Sequence, residues 1–121
     1  MLDKLAKEIH SVNGNNGFWD MEESVLDKMK TQQGFFKGAE IEAVQNAFKC
    51  QRLLLIISEV IEAMDTIRDP NNSEDTFDEE LADILIRTLD VSRGYDIYLQ
   101  DEVEKKLDKN KSRPPLHNKK F

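Results

Sequence analysis

Leu53-Leu54-Leu55-Ile56-Ile57-Ser58-Glu59-Val60-Ile61-Glu62 and Glu80-Leu81-Ala82-Asp83-Ile84-Leu85 are the two stretches that decide how this chain folds. Each sets two carboxylates three residues apart inside apolar sequence. Residues at that spacing share one side of a helix, so each pair offers its oxygens in a common direction. Between the stretches, Asp69-Pro70-Asn71-Asn72-Ser73 reads as a turn. A short turn makes the flanking helices antiparallel neighbours and brings the two acidic pairs within reach of each other. Four carboxylates converging from two helices form a divalent-cation site, which points towards phosphate chemistry.

Working outward, Ala39 to about Arg68 has the pattern of one long helix with two apolar stripes. At about 100° per residue, Ile41, Val44, Phe48 and Leu55 project on the side of Glu59, and Leu53, Ile57, Val60 and Met64 make a second stripe. The next helix, capped by Ser73 or Asp75, runs to about Ser92, with Leu81, Ile84, Leu85, Thr88 and Val91 as its apolar arc and Glu80 and Asp83 along the edge. Upstream, Leu2 to Val12 is a short amphipathic helix stopped by Asn13-Gly14-Asn15-Asn16-Gly17. Asp20 is placed to cap a second short helix from Met21 to about Lys30, and Thr31 to Gly38 reads as a loop. Downstream, Gly94 permits a break, a further helix covers Tyr95 to about Lys109, and Asn110 to Phe121 is a basic tail containing Pro114-Pro115. The expected fold is all-α: a four-helix-type bundle whose two long antiparallel helices carry the acids, with a short N-terminal helix and a basic C-terminal tail.

A chain of 121 residues suits a single domain, residues 1–121, with 110–121 as its tail. The 34% of charged residues and the scarcity of glycine and proline (5 and 3) favour a helix-rich soluble protein over a sheet protein. A net charge of −7 argues against a nucleic-acid polymer or an anionic membrane as partner. No apolar run approaches the roughly 20 residues needed to span a bilayer. The start, MLDKLAKEIH, carries charges where a signal peptide needs an apolar core, so a cytoplasmic location is expected. The single cysteine, Cys50, is read as a buried or neutral thiol without chemistry.

With 24 acidic residues in the chain, Glu-x-x-Glu spacings also arise by chance on solvated faces. What separates Glu59 and Glu62 from that background is their place in an apolar run. Like unit charges 4 Å apart repel by about 4 kcal/mol at an effective dielectric near 20, before desolvation is counted. Arg87 is the nearest basic side chain on the second helix. A hard cation is the simpler compensation, namely Mg²⁺ with Mn²⁺ as a substitute, since no His or Cys accompanies the acids to indicate zinc. A di-iron bundle needs Glu-x-x-His pairs, whereas His10 and His117 lie outside both acidic segments.

Glu59-x-x-Glu62, a gap of 17 residues, and Glu80-x-x-Asp83 resemble the signature of the MazG-like nucleotide pyrophosphohydrolases, within the all-α NTP pyrophosphatase superfamily. Gly17-Phe18-Trp19-Asp20 is similar to a segment of small MazG-like proteins. Lys106-x-x-x-Asn110-x-x-Arg113-Pro114, followed by His117 and Lys119-Lys120-Phe121, is similar to their basic tail. The chain departs from the pattern at Asn118, where family tails often carry Gly, and in the length of Met21 to Gly38. The resemblance implies Mg²⁺-dependent hydrolysis of a nucleoside triphosphate, the deoxy form favoured, between the α and β phosphates. The products are a monophosphate and pyrophosphate, and the role is house-cleaning of the nucleotide pool. Glu59, Glu62, Glu80 and Asp83 are then the metal and catalytic residues, and Lys106, Asn110 and Arg113 the phosphate contacts. Trp19, His10 and Asn13 are candidates for holding the base. Without the resemblance the tail residues read as a charged helix end, Trp19 equally well as a loop anchor, and His10 as a surface histidine. Similar proteins assemble as homodimers or as tetramers built from dimers, and the long helix has two apolar stripes, part of whose surface is expected to meet another subunit. Two alternatives share the acidic pattern: a related all-α hydrolase of nucleoside diphosphates or phosphoribosyl-ATP, and a non-catalytic helical interaction module.

Overall fold

The computed structural model describes residues 1–32 and 34–120. Among them are five α-helices and no strand: α1 (Leu2–Asn15), α2 (Asp20–Thr31), α3 (Gly38–Arg68), α4 (Phe77–Gly94) and α5 (Leu99–Lys111), followed by a 3₁₀ turn, Pro115–Asn118. The expected all-α bundle is the architecture the chain adopts. Helix α4 packs against both α1 and α3, α2 lies on α3, and α5 on α1. Its Leu89 has no exposed surface, so the core is centred on α4. Glu62 meets Glu80 and Glu59 meets Arg87: as one number falls the other rises, which is the antiparallel pairing expected from the short turn.

Several element ends differ from the expectation. Helix α1 runs on to Asn15 because the backbone ladder continues, with the Asn16 N–H still reaching the Val12 carbonyl at 3.1 Å. A left-handed backbone comes only at Gly17, with φ +84°. Asn13 is therefore a helical residue near the end of α1. Helix α2 takes Trp19 as its N-cap, so Asp20 is its first residue and caps nothing. Thr76, not Ser73 or Asp75, caps α4. The Glu79 N–H donates to Thr76 Oγ1 at 3.3 Å, and the Thr76 N–H donates to Glu79 Oε2 at 2.7 Å. This is the reciprocal box that Thr-x-x-Glu permits, while the Ser73 hydroxyl turns back to the Asp69 carbonyl. Tyr95 to Tyr98 is not helical, and Asp96 takes φ +54°, so α5 begins at Leu99. The first residue ties α1 to α5, the Met1 ammonium donating to Gln100 Oε1 at 2.5 Å. Cys50, expected as a buried or neutral thiol, is exposed on α3.

The second stripe of α3 faces outward. Leu53, Ile57, Val60 and Met64 are 54, 51, 40 and 50% exposed, and Leu81 and Leu85 of α4 are similarly open. No helix among the described residues is long and apolar enough to cross a membrane.

Candidate active site

Glu59, Glu62 and Glu80 each present a carboxylate oxygen within 4.8 Å of the other two. Glu59 and Glu80 are buried and Glu62 is exposed, so the cluster opens to solvent on the Glu62 side. A cleft of ≈ 310 Å³ lies there, lined by Glu62 and Asp65 of α3, Glu80 of α4 and the turn residues Asn72, Ser73, Glu74 and Asp75. Burial raises the pKa of Glu80, and the negative charges of Glu62, Asp75, Glu59 and Asp83 raise it further. Its buried Oε2 has no hydrogen-bond partner among the described residues. An orphaned buried carboxylate oxygen beside two further carboxylates is what a bound cation would satisfy, and an all-oxygen donor set suits a hard divalent ion. The residues present therefore fit such a metal.

Asp83 stands just outside that group. It is half-buried, and it lines a neighbouring pocket of ≈ 200 Å³ together with Asn13, Phe18, Glu59, Ile86 and Arg87. Its pKa is raised by burial and by the charges of Glu59 and Asp75, with Arg87 pulling the other way. The Arg87 Nε donates to Glu59 Oε1 in an ion pair across α3 and α4.

Helix α1 reaches this pocket because Asp90 holds it there. The buried Asp90 carboxylate accepts from His10 Nδ1 at 2.7 Å, from Asn13 Nδ2 at 2.9 Å, and from Trp19 Nε1, which lies 3.1 Å from both of its oxygens. Trp19 is 4% exposed. Arg52 lies over its ring at 3.3 Å, and His10 and Tyr95 meet it edge-on. Arg52 also donates to the Phe18 carbonyl, and the Tyr95 hydroxyl donates to Glu22 Oε1 at 2.6 Å. Burial first, and then that bond, push the Tyr95 phenol up to about 12.

Of the residues the sequence singled out, three acids form the cluster and the fourth lines the adjoining pocket. Asn13 joins that pocket; His10 supports it from behind through Asp90. Trp19 is the anchor of the loop, and its buried ring presents no open face to a base, because the segment that carries it is folded into the junction of α1 and α4. Phe18, 52% exposed and lining the pocket, is the aromatic that faces outward. Lys106 and Asn110 are exposed on α5 and Arg113 is half-buried just beyond it; that helix packs on α1, and none of the three lines either of the two pockets that the acids line. The side chain of His117 and the residue Phe121 lie outside the described residues. Asp90 was missed, although Glu80, Asp83, Arg87 and Asp90 recur at spacings of three and four along one face of α4.

A family model for the MazG nucleotide pyrophosphohydrolase domain matches residues 50–117. This chain belongs to that family. The match covers more than half of the sequence and takes in all four acids of α3 and α4 together with α5. It leaves α1 and α2 outside, so His10, Asn13 and Trp19 stand beyond the matched segment of this MazG domain. MazG membership implies a nucleotide pyrophosphohydrolase that uses a divalent metal, in keeping with the oxygen cluster. Searches of curated proteins and of solved structures return no match.

Proposed function

We propose that the chain is a Mg²⁺-dependent nucleoside triphosphate pyrophosphohydrolase that cleaves between the α and β phosphates, releasing a nucleoside monophosphate and pyrophosphate. The observation that carries this reading is the convergence of Glu59, Glu62 and Glu80, with a buried Glu80 oxygen left without a partner. Glu59, Glu62 and Glu80 would hold the ion, with Mn²⁺ as a working substitute. When bound, the ion would supply charge neutralisation for the polyphosphate and a more acidic attacking water. Asp83, outside the three-oxygen group but lining the same pocket as Glu59, is the carboxylate that would serve as general base, taking a proton at its side-chain oxygen. Asn13 and Phe18 border the space open to the nucleoside, and Lys106, Asn110 and Arg113 are assigned to the phosphates.

The deoxy form is the expected substrate, and the role is control of the cytoplasmic nucleotide pool. The assembly that fits is a homodimer, or a tetramer of two dimers, through the exposed face of α3. Leu53, Leu54, Ile57, Ile61 and Ile67 there are each at least half exposed, an apolar extent that monomeric proteins seldom leave open. A monomer-sized mass at micromolar concentration would overturn that assignment.

The deciding experiment is product analysis of the purified protein with Mg²⁺ and a panel of ribo- and deoxynucleoside triphosphates, with Glu80→Ala in parallel. Monophosphate plus pyrophosphate from the wild type alone is the expected result. Diphosphate plus phosphate would refute α–β cleavage. Absence of turnover on the whole panel would favour a non-catalytic helical module.

A further inference from the structure

One contact stands at odds with the use of Glu59 as a metal ligand. Its Oε1 accepts from Arg87 Nε, and that is the single hydrogen bond the Arg87 side chain makes among the described residues. Within the same residues Arg87 is the one cation in ion-pair contact with the three clustered glutamates. The nearby Arg52 is fixed by its stacking on Trp19 and its bond to the Phe18 carbonyl. Arg87 has no such restraint. Its side chain is 31% exposed, and it lines the ≈ 200 Å³ pocket beside Asp83, Asn13 and Phe18. It therefore sits between the acids and the space open to substrate, one turn beyond Asp83 on the same helix.

A guanidinium and a divalent cation repel, and both seek the oxygens of Glu59. With the cation held, Arg87 loses the reason for its present position. The anion then nearest to it is a polyphosphate, which a planar fork of donors fits in bidentate fashion. We propose that Arg87 is an exchangeable counter-ion: it pairs with Glu59 in the metal-free protein and, once Glu59 is committed to a divalent ion, turns into the adjoining pocket to bind a phosphate of the nucleotide. The proposal rests on the metal and substrate reading above and adds the residue that couples the two ligands. Metal binding works against the Arg87–Glu59 pair, and substrate binding recovers that cost, so each favours the other.

The test is Mn²⁺ binding to the substrate-free protein, read by the electron paramagnetic resonance of free Mn²⁺, for the wild type, Arg87→Gln, Arg87→Lys and Glu80→Gln. Arg87→Gln should bind Mn²⁺ about tenfold more tightly and show a KM for the magnesium nucleoside triphosphate raised about tenfold, with Arg87→Lys between it and the wild type. Unchanged or weaker Mn²⁺ binding in folded Arg87→Gln overturns the exchange while leaving the metal site in place. A wild type that binds no Mn²⁺, or binds it no better than Glu80→Gln, overturns the metal reading and the exchange together. A measurement on the wild type guards against a variant that fails to fold. The Arg87 Nε–H nuclear magnetic resonance signal, assigned by its absence from Arg87→Lys, should move on addition of Mg²⁺ as the bond to Glu59 is lost, and a signal that stays in place refutes the proposal.

Discussion

Asp90→Ala should cost the protein about 3 kcal/mol of stability, a figure that follows from the three donors the carboxylate serves. Trp19 Nε1 is the most expensive of them. The ring is 4% exposed and overlaid by Arg52, so no water replaces the lost acceptor, and a buried N–H without a partner costs about 1–3 kcal/mol. His10 and Asn13 are half-buried. Water reaches them, and each forfeits a charge-assisted bond for a solvent bond, about 1 kcal/mol apiece. Removing the carboxylate also removes its own desolvation cost, which offsets part of the sum. For a chain of 121 residues the net loss lowers Tm by about 12 °C. Urea unfolding followed by the fluorescence of Trp19, the only tryptophan, measures the change at a fixed protein concentration, which matters if the chain self-associates. Asp90→Asn keeps one carbonyl oxygen, and the Asn13 amide can reverse to meet the new NH₂, so its cost should be about 1 kcal/mol. An Asp90→Ala midpoint within about 0.5 kcal/mol of wild type would refute the view that this carboxylate fastens α1 to α4.

Gly94→Ala should destabilise by about 1–3 kcal/mol and shift the Trp19 emission, since overpacking has that range. A Cβ there would stand 2.1 Å from Trp19 Cη2 and 2.3 Å from Cζ2, and an unchanged spectrum would show that the ring does not lie on this glycine. Glu80→Gln should abolish turnover yet raise the urea midpoint of the metal-free protein, because it neutralises a buried carboxylate that has no partner for one oxygen and several negative neighbours; a lower midpoint would mean that the charge is already compensated. The pH dependence has a defined sign. Glu80 and Asp83 are raised in the folded protein, chiefly by burial. Between the ordinary carboxylate range and those raised values the folded protein holds protons that the unfolded chain has released. The stability these two groups contribute is therefore lost as pH rises through that window. Glu79, lowered by its bonds to Thr76, acts in the opposite sense, its contribution being lost as pH falls. In chelator, the advantage of Glu80→Gln over wild type should widen from acid to neutral pH, and a constant difference would rule the burial effect out.

The five helices were legible because each carries its own period, and the site's acids because α3 and α4 hold carboxylates in apolar sequence where charge is otherwise avoided. The Thr76-x-x-Glu79 box was equally present in the residues, and preferring Ser73 or Asp75 overlooked a reciprocal pair that satisfies two backbone N–H groups at once. Spacing along a helix specifies which side chains share a face, and a short turn specifies that two helices run antiparallel, so the meeting of Glu62 with Glu80 follows from local rules. What lies beyond those rules is which face of α1 meets α4. Local pattern left Trp19 equally able to stack on a base or to anchor a loop. Its burial depends on Gly94, 75 positions on, having no side chain, and on Asp90 being placed to accept from its indole. The separation of Asp83 from the other three acids, and the pairing of Arg87 with Glu59, likewise come from how far α3 and α4 lie apart and how they are rotated. Those distances are set by packing across the whole bundle, and no repeat within a single helix encodes them.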